Sequence, residues 1–513
     1  MSISGLQNQV IAFIRASGVP AWLVGGYVRD RLLGRPTHDM DVVVTEGAIR
    51  LARALARQFD GASFVLDEER DMARAILRDE GDQPLDVDVA RLRVAELPGD
   101  LALRDFTINA MAVDIAVALA TPGQEDVWSQ VIDPFDGRGD LAAGLVRAVG
   151  EGAFRDDPLR LLRAVRHAAE LGFQIEAATA VLIRRDAWRL PAVAAERCRD
   201  ELIRILAAPR AWHHVRELKA LDLLRYVLPE TAAQVGVTQS PPHYQDVFDH
   251  TLSTMAHLEG ICALLWPEAG YVRPGPDPEN GTFFASLQQW DELARTLQPY
   301  VDDLRAHFSQ ILAADHTRRV WLPWAALAHD WGKPAMRSVT ADGRIRFLGH
   351  EHWGALLVDR RGQALRLASA EIAYLAQMVN LHMRPGFLAH EYPPTLRAVY
   401  RFFRDAGTTG PDCALLSLAD HMAYRAPSPD PTRWQQRLGT TRMLLDVFFR
   451  QRAERIEPAP LLDGRQLMIA FGLEPGPQVG ELLEGLREAQ AVGEVSTPEQ
   501  ALAWVAARIK GDR

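Results

Sequence analysis

The stretch Trp22–Val44, WLVGGYVRDRLLGRPTHDMDVVV, constrains the fold more than any other part of the chain. Its end, Asp39-Met40-Asp41-Val42-Val43-Val44, is a β-branched run that favours a strand. On a strand, residues i and i+2 face the same way. Asp39 and Asp41 therefore project together, while Met40, Val42 and Val44 face the other side. Two carboxylates this close repel unless a cation lies between them. A divalent ion meets that need, and Mg²⁺ takes one or two carboxylates together with substrate phosphates. A D-x-D alone is commonly only a strand edge, and Asp86-Val87-Asp88 repeats it. The upstream context separates the two. Gly25-Gly26 stands between a strand and a helix, where backbone N–H groups can approach a phosphate and the helix N-terminus adds positive potential. Arg29, one turn into that helix, can reach the same anion or pair with Asp30 or Asp41. A phosphate cradle beside metal carboxylates suggests nucleotidyl transfer.

The chain's 513 residues suggest three or four domains. Strand signals (WLVGG, MDVVV, LDVDVARLR) and helical ones (RLLG, IRLARALARQF) mix up to about residue 150 and then nearly vanish in favour of helical spacing. The fold class is multidomain, α/β followed by all-α. A breaker cluster at 266–281 reads as a loop or insertion, and another at 425–433 as the end of a helical domain. The three cysteines, Cys198, Cys262 and Cys413, have no paired spacing, which fits a reducing, cytoplasmic setting. No signal peptide and no membrane span is expected. The net charge of −10 argues against a nonspecific nucleic-acid coat but says little about a local site.

Further segments follow in a recognisable order: LRDFTINAMAVD (103–114), IDPFDGRGDL (132–141), FRDDPLRLLRAVRHAAELGF (154–173) and ERCRDELIRIL (196–206). With G-G-x-x-R-D and D-x-D they resemble the class II tRNA nucleotidyltransferase and bacterial poly(A) polymerase family. The resemblance covers residues 20–210, with lesser echoes beyond. It implies a polymerase-β-like head with a mixed sheet at 1–148 and a helical neck at 149–212. It also implies that Asp39 and Asp41 are catalytic and hold Mg²⁺, and that Gly25, Gly26 and Arg29 cradle phosphates. Arg104 and Asp105 would hold the ribose and phosphates, with Asn109 of the same segment among the nucleotide-binding residues. Arg163 and Arg166 would hold the triphosphate. The family's Arg before Arg-Asp is Leu103 here, and its Glu before the later Asp is Asp156. Asp86 or Asp88 is a candidate third carboxylate.

Asp157-Pro158-Leu159-Arg160 bears on the base. Asp157 and Pro158 suit a helix start. Asp157 and Arg160 also lie on one helical face. A carboxylate accepts and a guanidinium donates. Cytosine and adenine present an amino donor beside a ring-nitrogen acceptor, whereas guanine and uracil reverse that order. An Asp–Arg pair thus accepts C and A and rejects G and U, by roughly 10⁴-fold if partners are left unpaired. The family uses such a pair as a protein template.

Beyond residue 240, His250, His329-Asp330, His350, His382 and Asp420 appear in the order H…HD…H…H…D, which resembles the HD phosphohydrolase superfamily. Imidazole and carboxylate together suit divalent metals such as Mn, Ni, Mg or Fe. His250, His329, Asp330 and Asp420 would hold one ion, and His350 and His382 a second. Such a site supports metal-dependent phosphoester hydrolysis. The HD domain would span 213–430, with a loop insertion near 266–285, and a helical tail 431–513.

The expected function is template-independent addition of C and A, from CTP and ATP, to the 3′ end of tRNA. Nucleoside triphosphates and tRNA are the expected partners, with no membrane and no evident protein partner. Alternatives are a poly(A) polymerase, a CC-only or A-only adding enzyme, a regulatory protein nucleotidyltransferase, or a silent RNA-binding protein.

Overall fold

A computed structural model describes residues 3–118, 130–274, 286–313, 315–424 and 430–511. The two breaker clusters lie partly outside these residues, at 275–285 and 425–429. The chain divides into two compact units, residues 1–193 and 194–513. That division falls inside the stretch expected to form the neck.

The first unit is built on a six-stranded mixed sheet. Its strands are β1 (Ala21–Val24), β2 (Asp39–Val44), β3 (Ala62–Asp67), β4 (Met72–Arg78), β5 (Pro84–Arg91) and β6 (Ala112–Asp114), in the order β3-β4-β5-β2-β1-β6. The β2–β5 pair is parallel and the others antiparallel. β2 alternates as its sequence demands: Met40, Val42 and Val44 are buried, Asp39 is exposed and Asp41 is half-buried. The helix Ala48–Gln58 buries Leu51, Ala52, Leu55 and Ala56, an apolar stripe at helical spacing. Val24 and Val43 pack with Leu97, Leu101, Ala110 and Ala112 in a second apolar cluster. The helix Arg160–Leu171 ends at Gly172, whose φ of 71° is the left-handed cap that glycine adopts without penalty.

The second unit is almost wholly helical among its described residues. Its strands are two or three residues long, at Ile311–Ala313, His316–Thr317, Ser338–Val339 and Ile345–Arg346. Long helices, among them Val247–Leu265, Ser369–Leu381, Gly410–Met422 and Pro431–Arg450, bury their apolar sides. The last three helices, from Gly464 to Gly511, close around Leu467, Leu486, Ala501 and Val505. No helix among the described residues is long and apolar enough to cross a membrane.

One polar cluster lies fully inside this unit. Asp412 Oδ2 is 2.6 Å from His307 Nε2, Tyr374 donates its hydroxyl to Asp412 Oδ1 at 2.6 Å, and Arg318 Nη1 lies 3.4 Å away. Breaking a buried charge network by removing one partner strands the others without compensation. Asp412→Ala is therefore expected to destabilise the protein by roughly 3–5 kcal/mol, read by denaturant or thermal unfolding. Arg433→Ala, on an exposed pair with Asp430, is the control expected to cost under about 1 kcal/mol.

Candidate active site and candidate metal centre

The first site lies where β1 ends and β2 begins. Gly25 has φ of +68°, and a Cβ there would stand 2.8 Å from both Asp41 Oδ2 and Arg104 Nη1. Only glycine meets both the backbone angle and the close approach. The Gly26 N–H then donates to Asp41 Oδ2 at 3.2 Å. Burial raises the pKa of Asp41, and the neighbouring Asp88 and Asp39 carboxylates add to that effect. Arg104 and the Gly26 N–H only partly oppose it. Such a carboxylate, recessed and facing others of its charge, fits a divalent cation.

Around this pair the structure brings together most of the expected residues. Arg29 is buried, with a two-pronged contact to Asp30 at 2.9 Å and a bond from Nη1 to Asn109 Oδ1 at 2.7 Å. Asn109 Nδ2 donates to Asp105 Oδ1 at 3.0 Å, and Asp105 Oδ2 lies 2.6 Å from Arg163 Nη2. Burial pushes the Asp105 carboxyl up, but Arg163, His167, Asn109 and the Phe106 N–H outweigh it and hold the pKa down. Arg166 lies deeper: it is buried, with Nη1 on Glu170 and Nη2 3.2 Å from His167 Nε2. His167 therefore accepts at Nε2 from both Arg166 and Asn109. Burial, with Arg166 and Arg29 nearby, keeps its pKa well below the ordinary value. Nothing in the spacing singled out His167; its only signal is its place next to Arg166.

Asp157 accepts from the Leu159 N–H at 3.1 Å in a tight turn just before the helix; the helix itself begins at Arg160, with Leu159 and not Asp157 at its N-cap. Arg160 donates to the carbonyls of Leu103 at 2.7 Å and Ala153 at 3.1 Å. Asp86 and Asp88, the candidate third carboxylates, both face Arg74 of β4, at 2.9 and 2.7 Å.

The second site sits at helix ends in the second unit. His329 follows the helix Arg318–Ala328, His350 begins His350–Ala364, His382 follows Ser369–Leu381, and His250 and Asp420 come from within helices. Asp330 stands among them. Its Oδ2 is 3.1 Å from His329 Nε2 and 3.7 Å from His250 Nε2. Its Oδ1 is 3.3 Å from His350 Nε2 and 3.9 Å from His382 Nε2. Two metal-compatible groups result, His250–His329–Asp330 and Asp330–His350–His382, sharing one carboxylate. The resemblance had implied Asp330 for the first group alone. Asp420 Oδ1 lies 2.9 Å from His250 Nε2.

The outer contacts aim these rings. Nδ1 of His329, His350 and His382 lies 2.7, 2.7 and 2.6 Å from the carbonyls of Ala326, Phe347 and Val379. A carbonyl only accepts, so in each neutral ring Nδ1 carries the hydrogen and Nε2 offers a lone pair inward. The Nε2 atoms of His329 and His350 are buried with only the Asp330 carboxylate in reach and no well-aligned hydrogen bond, a crowding of donor atoms that a metal would relieve. Burial, then His329 and His350, lower the pKa of His382 to about 3. Burial disfavours the charged ring of His329 too, but Asp330 outweighs it and leaves that pKa raised. Lys333 was not singled out from sequence. It is buried, 2.6 Å from Asp330 Oδ2, and donates to Gln239 at 2.8 Å. Its signal was there to see, because the chain has only the lysines at 219, 333 and 510. The cluster opens on a cleft of about 520 Å³ lined also by Arg344, Arg346, Phe387 and Tyr424.

Comparison with known proteins places these arrangements. Residues 21–147 match the family of the Poly A polymerase head domain, and 172–235 that of a probable RNA and SrmB-binding site of polymerase A. An A-adding tRNA nucleotidyltransferase of Deinococcus radiodurans is 34% identical over 94% of each chain. A CC-adding tRNA nucleotidyltransferase of Geobacter sulfurreducens is 32% identical over 98% of this chain and 95% of its own. Among solved structures, a CCA-adding enzyme in complex with CTP shares the fold at a TM-score of 0.60 and 20% identity, covering 99% of this chain and 95% of its own. With full-length relatives above 30% identity, this chain belongs to the tRNA nucleotidyltransferase family and is a nucleotidyltransferase.

Proposed function

We propose that the protein adds C and A, from CTP and ATP, to the 3′ end of tRNA, using Asp39 and Asp41 as metal carboxylates. The observation that carries this is the Gly25–Gly26 turn seated against Asp41, with the Arg104 guanidinium packed against the same glycine and its charge acting on that carboxylate. Mg²⁺, when bound there, supplies charge neutralisation for the triphosphate and the attacking hydroxyl. The protein's own groups position the nucleotide. Arg104, with Arg29, Asn109, Asp105 and Arg163 in one bonded series, forms a cationic wall for the ribose and phosphates. Arg166, bound to Glu170 and His167, supports that wall from behind. Asp157 and Arg160 read the base edge, and the bonds of Arg160 to backbone carbonyls fix where its guanidinium stands.

A second reading is favoured by the relatives themselves. Those matching nearly the whole chain are named A-adding and CC-adding, including a CC-adding enzyme of Thermus thermophilus at 32% identity over 94% of this chain. Incubation with tRNA lacking its terminal CCA, and with tRNA ending in CC, separates the two. A full CCA-adding enzyme extends the first substrate by C, C and A. A CC-adding enzyme stops after two cytidines, and an A-adding enzyme extends only the second substrate. No incorporation of CTP or ATP on either would reject both readings.

We also propose that the cluster of the second unit is an HD phosphohydrolase site, acting on a 2′,3′-cyclic or terminal phosphate of an RNA end. His250, His329, Asp330 and Asp420 would hold one divalent ion, and His350, His382 and the far oxygen of Asp330 another. Arg344 and Arg346 at the cleft supply cations for the phosphate.

These proposals give three expected outcomes. Gly25→Ala, which forces a strained angle and crowds Asp41, is expected to lower kcat for nucleotide transfer by about 100-fold, since misplacement by an ångström costs about that much. Asp157→Ala is expected to leave CMP transfer measurable while cutting discrimination against UTP from roughly 10⁴-fold by about two orders of magnitude, in competition assays with paired triphosphates. Asp330→Ala is expected to remove metal from both halves of the second site, where His250→Ala and His350→Ala each remove it from one; elemental analysis of the purified proteins decides.

A further inference from the structure

The parallel register of β2 and β5 sets Asp39 opposite Asp86 and Asp41 opposite Asp88. Neighbours in register lie on one face of a sheet, so four carboxylates form a square on the face that carries the active site. In the next column of the same face stands one cation. Arg74 of β4 is paired in register with Asp88. Its Nε donates to Asp88 Oδ1 at 2.7 Å, its Nη2 to Asp88 Oδ2 at 2.8 Å and its Nη1 to Asp86 Oδ2 at 2.9 Å. One planar guanidinium thus engages both outer carboxylates, a geometry that lysine's point charge does not offer. Of the inner two, Asp41 faces the glycine turn.

We propose that Arg74 is a positioning residue for nucleotide transfer. It occupies Asp86 and Asp88 as a fixed cation, so that divalent ions are drawn to Asp39 and Asp41 and not to the outer pair. This rests on the reading of Asp39 and Asp41 as the metal carboxylates. Without such a cation the square would present two competing D-x-D pairs side by side, each able to attract an ion. The sequence repeats the motif, and the structure supplies a reason why only one copy serves as the ligand pair.

The test uses the full chain with Mn²⁺ as the probe and nucleotide transfer as the second readout. Arg74→Ala is expected to bind one Mn²⁺ more than the parent protein and to lose about tenfold in kcat at saturating metal and triphosphate. The variant that combines Arg74→Ala with Asp86→Asn and Asp88→Asn is expected to lose the extra ion and return to within about threefold of the parent. A purely structural role for Arg74 would not change the number of ions bound. The proposal is overturned if Arg74→Ala binds no additional Mn²⁺, or if the combined variant stays as slow as Arg74→Ala. It is equally overturned if Asp88→Asn alone is as inactive as Asp41→Asn, because Asp88 is then itself a ligand. An Asp41→Asn protein that retains transfer would instead reject the metal assignment on which Arg74's role depends.

Discussion

The ion pair between Asp105 and Arg163 holds the first site together. It joins the segment after the sheet's Leu97–Ala102 helix to the helix Arg160–Leu171 at 2.6 Å, with Asp105 buried and the Arg163 side chain 35% exposed. A buried carboxylate of this kind is stable only if its remaining lone pairs are also satisfied. Here they are met by neighbours that have their own tasks. Asp105 accepts from the Phe106 N–H and from Asn109, Asn109 accepts from Arg29, and Arg29 reaches back to the helix that starts at the glycine turn. The Gly25–Gly26 turn, the segment of Arg104 and the helix Arg160–Leu171 are therefore one bonded body. A shift of any one would break bonds in the other two. Preorganisation of this sort is what transfer chemistry requires, because the protein's contribution is largely position and charge.

Asp330 plays the corresponding part in the second unit, by a different logic. Its two oxygens face two pairs of imidazoles, and both the desolvation of the carboxylate and its compensation come from within the cluster. Burial alone would raise its pKa; His329 and Lys333 reverse that and hold it well below the carboxylate range. The backbone carbonyls that take the Nδ1 hydrogens of His329, His350 and His382 sit three residues before each ring. In the sequence that arrangement needs only a histidine at the right helix end, so the local fold orients the rings.

Much of this was legible in the chain, where a local rule governed. The strand β2 and its two-faced alternation, the glycine turn and the helix Arg160–Leu171 follow from periodicity and turn chemistry. The hairpin of β3 and β4 did not. Phe64, Val65 and Leu66 are all exposed in succession, so β3 shows no alternation to read. β4 places Arg74 on a face that only the register with β5 makes meaningful. The ligand types of the second site were visible as an ordered series of His and Asp, whereas the sharing of Asp330 depends on which oxygen faces which helix. His167 and Lys333 were missed for a related reason. Each matters through a partner brought in by the fold, Asn109 and Gln239 respectively.

The two departures from the family pattern test how far a motif stands for a contact. Leu103 occupies a position usually held by arginine, and its side chain is 36% exposed. What the structure uses at this position is the backbone: the Leu103 carbonyl accepts from Arg160 Nη2 at 2.7 Å and from Arg93 Nη1 at 3.2 Å. Any residue supplies that carbonyl, so the exchange leaves both bonds intact. Asp156 replaces glutamate at an exposed position at the end of the short helix Ala153–Asp156. Burial lowers the pKa of Arg160, and the Asp156 charge opposes that, behind the larger effects of Asp105 and Asp157. The shorter side chain keeps the sign of the field and gives up reach. Both departures thus fall at exposed positions, while Asp105 and the two residues it bonds, Asn109 and Arg163, retain the residue types those bonds require.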